Sequence, residues 1–281
     1  MPTELAAKAD QLRAILQSYG RLAVAFSGGV DSTFLAAFAH ATLPGNVLLL
    51  TALSPSLPDD EAQFLRQFAA DRGIRLLEAT TKELDNEEYR KNPPNRCYFC
   101  KSEMFTTFRP LAAREGFPVL ADGANADDFR DYRPGLKAAG EQDVVHPLHA
   151  AGLTKADVRA LSHEMGLPTW DKPAAACLAS RFPYGERLTA AKLKRVEQAE
   201  SWLRRQGFRV FRVRSHEQLA RLEFAGDELE RAFAQRAALV QALRGFGFVF
   251  VTIDLQGFRS GAMNEVLAAA ARPAAATAAA T

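Results

Sequence analysis

The sequence predicts an α/β protein: a parallel sheet with helices on both faces, then a small α+β C-terminal domain. Three observations predict it. Up to residue 165, short apolar runs alternate with helical stretches. The first of these runs passes through a Gly-Gly pair straight into a helix, which is where α/β sheets hold ligands. Beyond residue 185 the order changes to helix, strand, strand, helix, strand.

The elements follow in order. Residues 4–19 have the amphipathic spacing of a lead helix. Strands are expected at 22–26, 47–53, 75–80, 119–122 and 143–146, and helices at 33–41, 59–72, 97–115 and 154–165. Thr154-Lys155-Ala156-Asp157 is a capping-box start, and Gly166 is a helix stop. Residues 170–185 carry Pro173, Pro183 and Gly185 and read as loop. The domain boundary is placed there, giving domains at 1–175 and 186–267, in keeping with a chain of 281 residues. In the second domain 190–206 is a charged helix and 208–214 alternates like a strand. Strand, helix and strand are expected at 218–224, 227–244 and 248–255. The Ala-rich stretch 268–281 is expected to be a disordered tail.

The Gly-Gly loop carries the chemistry. Leu22-Ala23-Val24-Ala25-Phe26 is followed by Ser27-Gly28-Gly29-Val30-Asp31-Ser32. Gly28 and Gly29 permit positive φ and a close backbone approach to a ligand. Ser27 and Ser32 add hydroxyl donors, and the N–H groups at a helix start suit an anion. A carboxylate beside bound phosphate requires a cation between them, so Asp31 implies Mg2+. No Gly-x-x-x-x-Gly-Lys-Ser/Thr occurs, which leaves Walker-type transfer unsupported. The string resembles the PP-loop of the N-type ATP pyrophosphatases, which cut ATP between its α and β phosphates and adenylate a substrate oxygen. The resemblance implies a Rossmann-like sheet with ATP at Ser27, Gly28, Gly29, Asp31 and Ser32. Gly123, just past the fourth strand, is placed with them.

Composition narrows the class. A hydrophobic content of 48% with 24% charged residues is that of an ordinary globular protein. A net charge of +2 argues against a broad nucleic-acid surface. The N-terminus lacks the basic-then-apolar order of a signal peptide, and no apolar run is long enough to span a bilayer. A cytoplasmic protein with neither nucleic-acid nor membrane partners is expected.

Three cysteines is an odd number, and two are spaced as Cys97-x-x-Cys100. In a cytosolic protein this reads as metal or redox chemistry rather than a disulfide framework. Zinc would need two more ligands, for which His146 and His149 are candidates, although structural roles suit both better. With Cys177 instead, three thiolates suit a 4Fe–4S cluster with one iron open to an outside ligand. Spacing alone leaves iron–sulfur, zinc and neither open. Cys177 reads as a buried small residue by its alanine neighbours and as a reactive thiol by its loop position and Arg181 four residues on.

A closer match runs along the chain. Asp131-Tyr132-Arg133-Pro134-Gly135-Leu136-Lys137, Gly152-Leu153-Thr154-Lys155, Gly166-Leu167-Pro168-Thr169-Trp170-Asp171-Lys172-Pro173 and Cys177-Leu178-Ala179-Ser180-Arg181-Phe182-Pro183-Tyr184-Gly185 resemble the LarE family. So do Arg212-Val213-Arg214-Ser215-His216 and Gly257-Phe258-Arg259-Ser260-Gly261. The resemblance spans about residues 4–266. It implies an ATP-dependent sulfur transferase of nickel-pincer nucleotide biosynthesis, serving the cofactor of lactate racemase. Its substrate would be pyridinium-3,5-biscarboxylic acid mononucleotide, whose carboxylates become thiocarboxylates. Family members with one cysteine sacrifice its sulfur and are left with dehydroalanine. Those with three are thought to carry an extra sulfide on a 4Fe–4S cluster. Cys97, Cys100 and Cys177 place this chain with the latter. The sulfide donor is not specified, a homo-oligomer is expected, and the product would pass to the other proteins of the pathway.

The same resemblance assigns further residues. Arg212 and Arg214, two apart on one strand, point to one face and could fork a substrate phosphate. Lys101, Arg133, Lys137, Ser180 and Arg181 are secondary candidates. Glu200 and Glu223 resemble carboxylates that hold a divalent ion in the family. Two rivals are weighed. A tRNA thiolase of the same superfamily would carry a basic RNA-binding surface, which a charge of +2 does not suggest. A non-catalytic nucleotide-binding module need not keep Asp31, Ser32 and a loop cysteine together.

Overall fold

The computed structural model describes residues 3–130, 133–173, 177–259 and 261–265. Asp131, Tyr132, Ser260 and the expected tail at 268–281 lie outside them. The chain divides into two compact units: residues 1–178 with 184–193, and residues 179–183 with 194–281.

The first unit is α/β. Its elements are α1 (Thr3–Tyr19), β1 (Leu22–Ala25), α2 (Val30–Thr42), β2 (Val47–Leu53), α3 (Asp59–Asp71), β3 (Arg75–Thr80), α4 (Glu87–Arg90), α5 (Arg96–Arg114), β4 (Val119–Ala121), α6 (Pro134–Glu141), α7 (Pro147–Ala150) and α8 (Lys155–Glu164). The four strands lie in the order β3-β2-β1-β4, all parallel. Every residue of β1 is buried, as expected of a strand covered on both faces. Leu22, Val24, Phe34 and Leu49 pack on one face, and Ala23, Leu48, Phe105 and Leu120 on the other. Strand order reverses between β1 and β4, the position at which open α/β sheets gather their ligands.

The expected fifth strand is absent as a strand. Asp143 sits at φ 49° and Pro147 opens α7, so only three residues between them can run extended. Val145 makes a single parallel bridge to Ala121. Three helices were not expected, α4, α6 and α7, and the last two begin with proline, whose fixed φ suits the first helical turn. The Thr154 start holds: its hydroxyl accepts from Asp157 N–H while the Asp157 carboxylate accepts from Thr154 N–H.

Within the second unit lie most of α9 (Ala190–Arg205), then β5 (Phe211–His216), β6 (Leu219–Phe224), α10 (Leu229–Ala234), α11 (Arg236–Gly245) and β7 (Phe250–Ile253). β6 is central, antiparallel to β5 and parallel to β7. The single helix expected over 227–244 is two, parted at Gln235. Among the described residues no helix is long and apolar enough to cross a membrane.

Candidate functional site

The loop between β1 and α2 is shaped for an anion. Gly28 lies at φ +71°, and a Cβ there would come within 2.9 Å of Leu65. Ser27 and Ser32 turn inward, with their hydroxyls 3.1 Å apart, and Ser32 Oγ also accepts from Ser27 N–H at 3.3 Å. Gly29 caps α2 without any side-chain bond to its first turn, so the dipole end of a 13-residue helix is left uncapped by side chains. Gly123, at the end of β4, lets the neighbouring strand close on this loop. A Cβ on Gly123 would stand 2.8 Å from the Ser32 backbone nitrogen.

Asp31 is held by groups distant in sequence. Lys155, the first residue of α8, pairs with its Oδ2, and Asn125 donates to its Oδ1 at 3.2 Å. Lys155 is itself placed by Asp127, whose carboxylate accepts its backbone N–H at 2.8 Å. A lysine cation therefore meets the carboxylate for which the sequence implied a metal cation. A second lysine braces the loop from outside. Lys172 donates to the Gly28 carbonyl at 3.1 Å and to Glu61 at 2.6 Å, with its ammonium over the Phe64 ring. Lys172 stands five positions before Cys177 in the sequence and is itself tied to this loop.

Next to the loop, Asp122 follows β4 and is buried. Its carboxylate accepts from Lys101 at 3.3 Å and from Ala124 N–H at 3.0 Å, and meets His146 Nδ1 at 2.7 Å. Burial opposes its charge, but Lys101 and His146 hold its pKa well below the usual carboxylate range. His149 stacks on Phe129 at 3.7 Å. Both histidines thus have structural partners. An open cleft of about 530 Å3 lies at the carboxyl ends of β2 and β3, lined by Leu53, Ser54, Leu57, Gln63 and Thr80 among others. That is within the size range of small-molecule pockets.

The three thiols belong to this same unit. Cys97 and Cys100 lie one turn apart at the start of α5. Burial pushes the Cys97 thiol up, and Cys177 adds to the effect. Burial also pushes Cys100 well up, with Cys177 again the largest charged influence. Arg96 Nη2 lies 4.0 Å from Cys177 Sγ. Burial works against the Arg96 charge, yet its neighbours, Cys177 first, hold its pKa up. The donor set suits iron–sulfur chemistry, which uses thiolates. Among the described residues no three His, Cys, Asp or Glu side chains stand ready-arranged around a metal position.

The remaining candidates fall into two places. In the first unit, Arg133 pairs with Asp128 at 3.1 Å, and Lys137 lies 3.9 Å from Glu141 with its ammonium over Tyr98. In the second unit, Ser180, Arg181, Arg212, Arg214, Glu200 and Glu223 come together. Arg181 grips Glu200 with two bonds of 2.8 and 2.9 Å, and Glu200 also accepts from Val213 N–H at 3.0 Å. Burial opposes the Glu200 charge, but Arg181 holds its pKa down. Arg214 donates to Glu223 at 3.0 Å and to the Ser180 carbonyl at 2.9 Å. Burial and then the Arg181 charge push the half-buried Arg212 down to about 10. Both carboxylates are saturated by arginine, so a divalent ion there would have to displace a guanidinium.

Sequence reasoning missed Lys155 as a partner of Asp31, and also Asn125, Asp122 and Lys172. One signal pointed to two of them. Asp122 and Asn125 flank Gly123-Ala124 at the end of the strand beside β1, where the topology rule puts ligands.

No family model matches the chain. Over 266 residues, 94% of its length, the chain is 46% identical to an uncharacterised protein of Synechocystis sp., 99% of which is covered. Over 264 residues it is 37% identical to a pyridinium-3,5-bisthiocarboxylic acid mononucleotide synthase of Lactiplantibacillus plantarum, covering 94% of this chain and 96% of that one. An uncharacterised protein of Methanocaldococcus jannaschii is 26% identical over 244 residues, 85% of this chain and 91% of its own.

Proposed function

This chain belongs to the LarE family, that of the pyridinium-3,5-bisthiocarboxylic acid mononucleotide synthases, and on that premise we propose that it is an ATP-dependent sulfur transferase. It inserts sulfur into the nucleotide precursor of a nickel-pincer cofactor. The observation that carries the reading is a phosphate-type loop and three thiols within one folded unit.

A carboxylate is a poor acyl donor because its leaving group would be oxide. Adenylation replaces that leaving group with AMP. A carboxylate oxygen of the substrate attacks the α-phosphate in line, and pyrophosphate departs. The chain's task in that step is positioning and charge neutralisation. Ser27, Gly28, Gly29, Ser32 and the start of α2 cradle the departing pyrophosphate. Gly123 allows the β4 strand to close on them, Asp31 would hold Mg2+, which supplies charge neutralisation at the phosphates, and Lys155, paired with that carboxylate, is in reach to meet a phosphate oxygen. Lys172 keeps the loop in its left-handed turn at Gly28. A sulfur nucleophile then attacks the acyl adenylate and displaces AMP. Cys97, Cys100 and Cys177 would hold a 4Fe–4S cluster, which supplies an iron open to an added sulfide. The product would pass to the proteins that complete the cofactor.

The test is anaerobic. Pyrophosphate release from ATP should depend on the mononucleotide, and the purified protein should contain iron and acid-labile sulfide. Pyrophosphate release without the mononucleotide, or only with tRNA, would overturn the reading.

The arginine cluster makes a separate expectation. Arg212→Ala should weaken the mononucleotide about tenfold and leave ATP affinity within about twofold, because one charge-assisted contact contributes ~1.5–3 kcal/mol. Arg214→Ala should also lower the melting temperature, since it removes a partner from buried Glu223, at a cost of about 3–5 kcal/mol. Binding of both ligands, measured calorimetrically, checks the first; equal losses for ATP and mononucleotide count against a substrate-phosphate fork.

A further inference from the structure

The arginines of the second unit are held from outside their own cluster. β5 and β6 pair so that Arg212 stands opposite Glu223 and Arg214 opposite Arg221. Directly opposed residues share a face of the sheet, and like charges placed so repel. The buried Glu223 resolves the clash between Arg214 and Arg221. Its Oε2 accepts from Arg214 Nε at 3.0 Å and lies 2.9 Å from Arg214 Nη2, while its Oε1 accepts from Arg221 Nη2 at 3.1 Å. Arg214 Nη1 reaches the Ser180 carbonyl at 2.9 Å.

Asp254, directly after β7, ends this run of contacts and starts another. Its Oδ2 accepts from Arg221 Nη1 at 2.9 Å. Its Oδ1 accepts from Gln256 N–H at 2.9 Å, and its carbonyl from Gly257 N–H at 3.0 Å. A carboxylate that accepts from the N–H two residues on fixes a turn. Gly257 completes that turn at φ +68°, where a Cβ would stand 2.7 Å from the Phe224 carbonyl oxygen. Phe258 N–H donates to that same carbonyl at 2.7 Å, and the Phe258 ring lies 5.0 Å from the Arg212 guanidinium. One carboxylate is thus linked to both arginines: to Arg214 through Arg221 and Glu223, and to Arg212 through the turn and Phe258.

We propose that Asp254 and Arg221 are positioning residues for the phosphate of the mononucleotide, holding Arg212 and Arg214 as a fork of fixed geometry. The assignment rests on the reading that those two arginines bind that phosphate. A guanidinium grips phosphate through two parallel N–H bonds, so its orientation sets its affinity. A long side chain also loses less freedom on binding when its neighbours already hold it. The competing explanation is charge compensation alone, in which the network supports the fold and the ligand is indifferent to it.

The experiment compares the mononucleotide with its dephosphorylated nucleoside by calorimetry in wild type, Arg212→Ala, Asp254→Asn and Arg221→Gln. Asparagine at 254 keeps an oxygen for Gln256 N–H and turns an amide NH2 toward Arg221, so the turn stays and the ion pair goes. Asp254→Asn is expected to weaken the mononucleotide about fivefold, a typical coupling between neighbouring groups, and to leave the nucleoside and ATP within about twofold. Arg221→Gln should do the same, and the double variant should bind no more weakly than Arg221→Gln alone, because Asp254 acts through Arg221. Arg221→Gln leaves the turn untouched and carries the test if Asp254→Asn lowers the melting temperature. Equal losses for nucleotide and nucleoside, additive losses in the double variant, or no loss in either variant while Arg212→Ala weakens the mononucleotide overturn the positioning role and leave the fork standing. A mononucleotide unaffected by Arg212→Ala removes the fork and this assignment with it.

Discussion

Asp31→Asn is expected to bind ATP and release almost no pyrophosphate. The substitution keeps the size of the side chain and removes its charge. Without the carboxylate, nothing on the loop itself holds Mg2+ at the phosphates, and removing one preorganised charge of this kind typically costs about 100- to 1000-fold in rate. ATP affinity should hold or rise slightly, because Lys155 loses its partner on Asp31 and is left to pair with phosphate. ATP titration alongside a pyrophosphate assay separates the two effects. Near wild-type release at saturating Mg2+ would remove Asp31 from the mechanism.

Alanine at Cys97, Cys100 or Cys177 is expected to abolish sulfur transfer in each case and to spare adenylation in all three. A shared cluster would need all three thiolates, so losing any one should cost the whole site. The phosphate-type loop lies on another segment and keeps its own contacts with Lys155, Asn125 and Lys172. The outcome separates two sulfur sources. A sacrificial Cys177 would lose the mass of about one hydrogen sulfide by β-elimination and turn over once, with Cys97→Ala nearly intact. A cluster-held sulfide leaves Cys177 unchanged in mass and allows repeated turnover when sulfide is supplied. Intact mass after reaction, run anaerobically with excess sulfide, decides between them. Stoichiometric dehydroalanine at position 177 rules out the cluster.

The local patterns were readable because each is complete within a few residues. The apolar run 22–26 leads into β1, and the four following elements come in their expected order. Thr154 to Asp157 holds all the atoms of its own capping box, so four residues sufficed to place the start of α8. Where the reading departed, a competing local constraint intervened. Val144 and Val145 look like a strand, but Asp143 in the left-handed region and Pro147 leave too little length for one.

By itself the sequence determined the α/β order and the position of the glycine loop between its first strand and helix, and it marked the three thiols and the arginines as candidates. Only the tertiary structure decided what meets them. Lys155 reaches Asp31 across 124 positions because α8 follows the strand that pairs on the far side of β1. Gly123 must lack a side chain because the β3-β2-β1-β4 order brings it against Ser32. Glu200 and Glu223 gain Arg181 and Arg214 as partners only in the fold. Hydrogen-bond satisfaction and charge compensation are properties of neighbourhoods in space, and strand order and long-range packing create those neighbourhoods without leaving a local pattern in the chain.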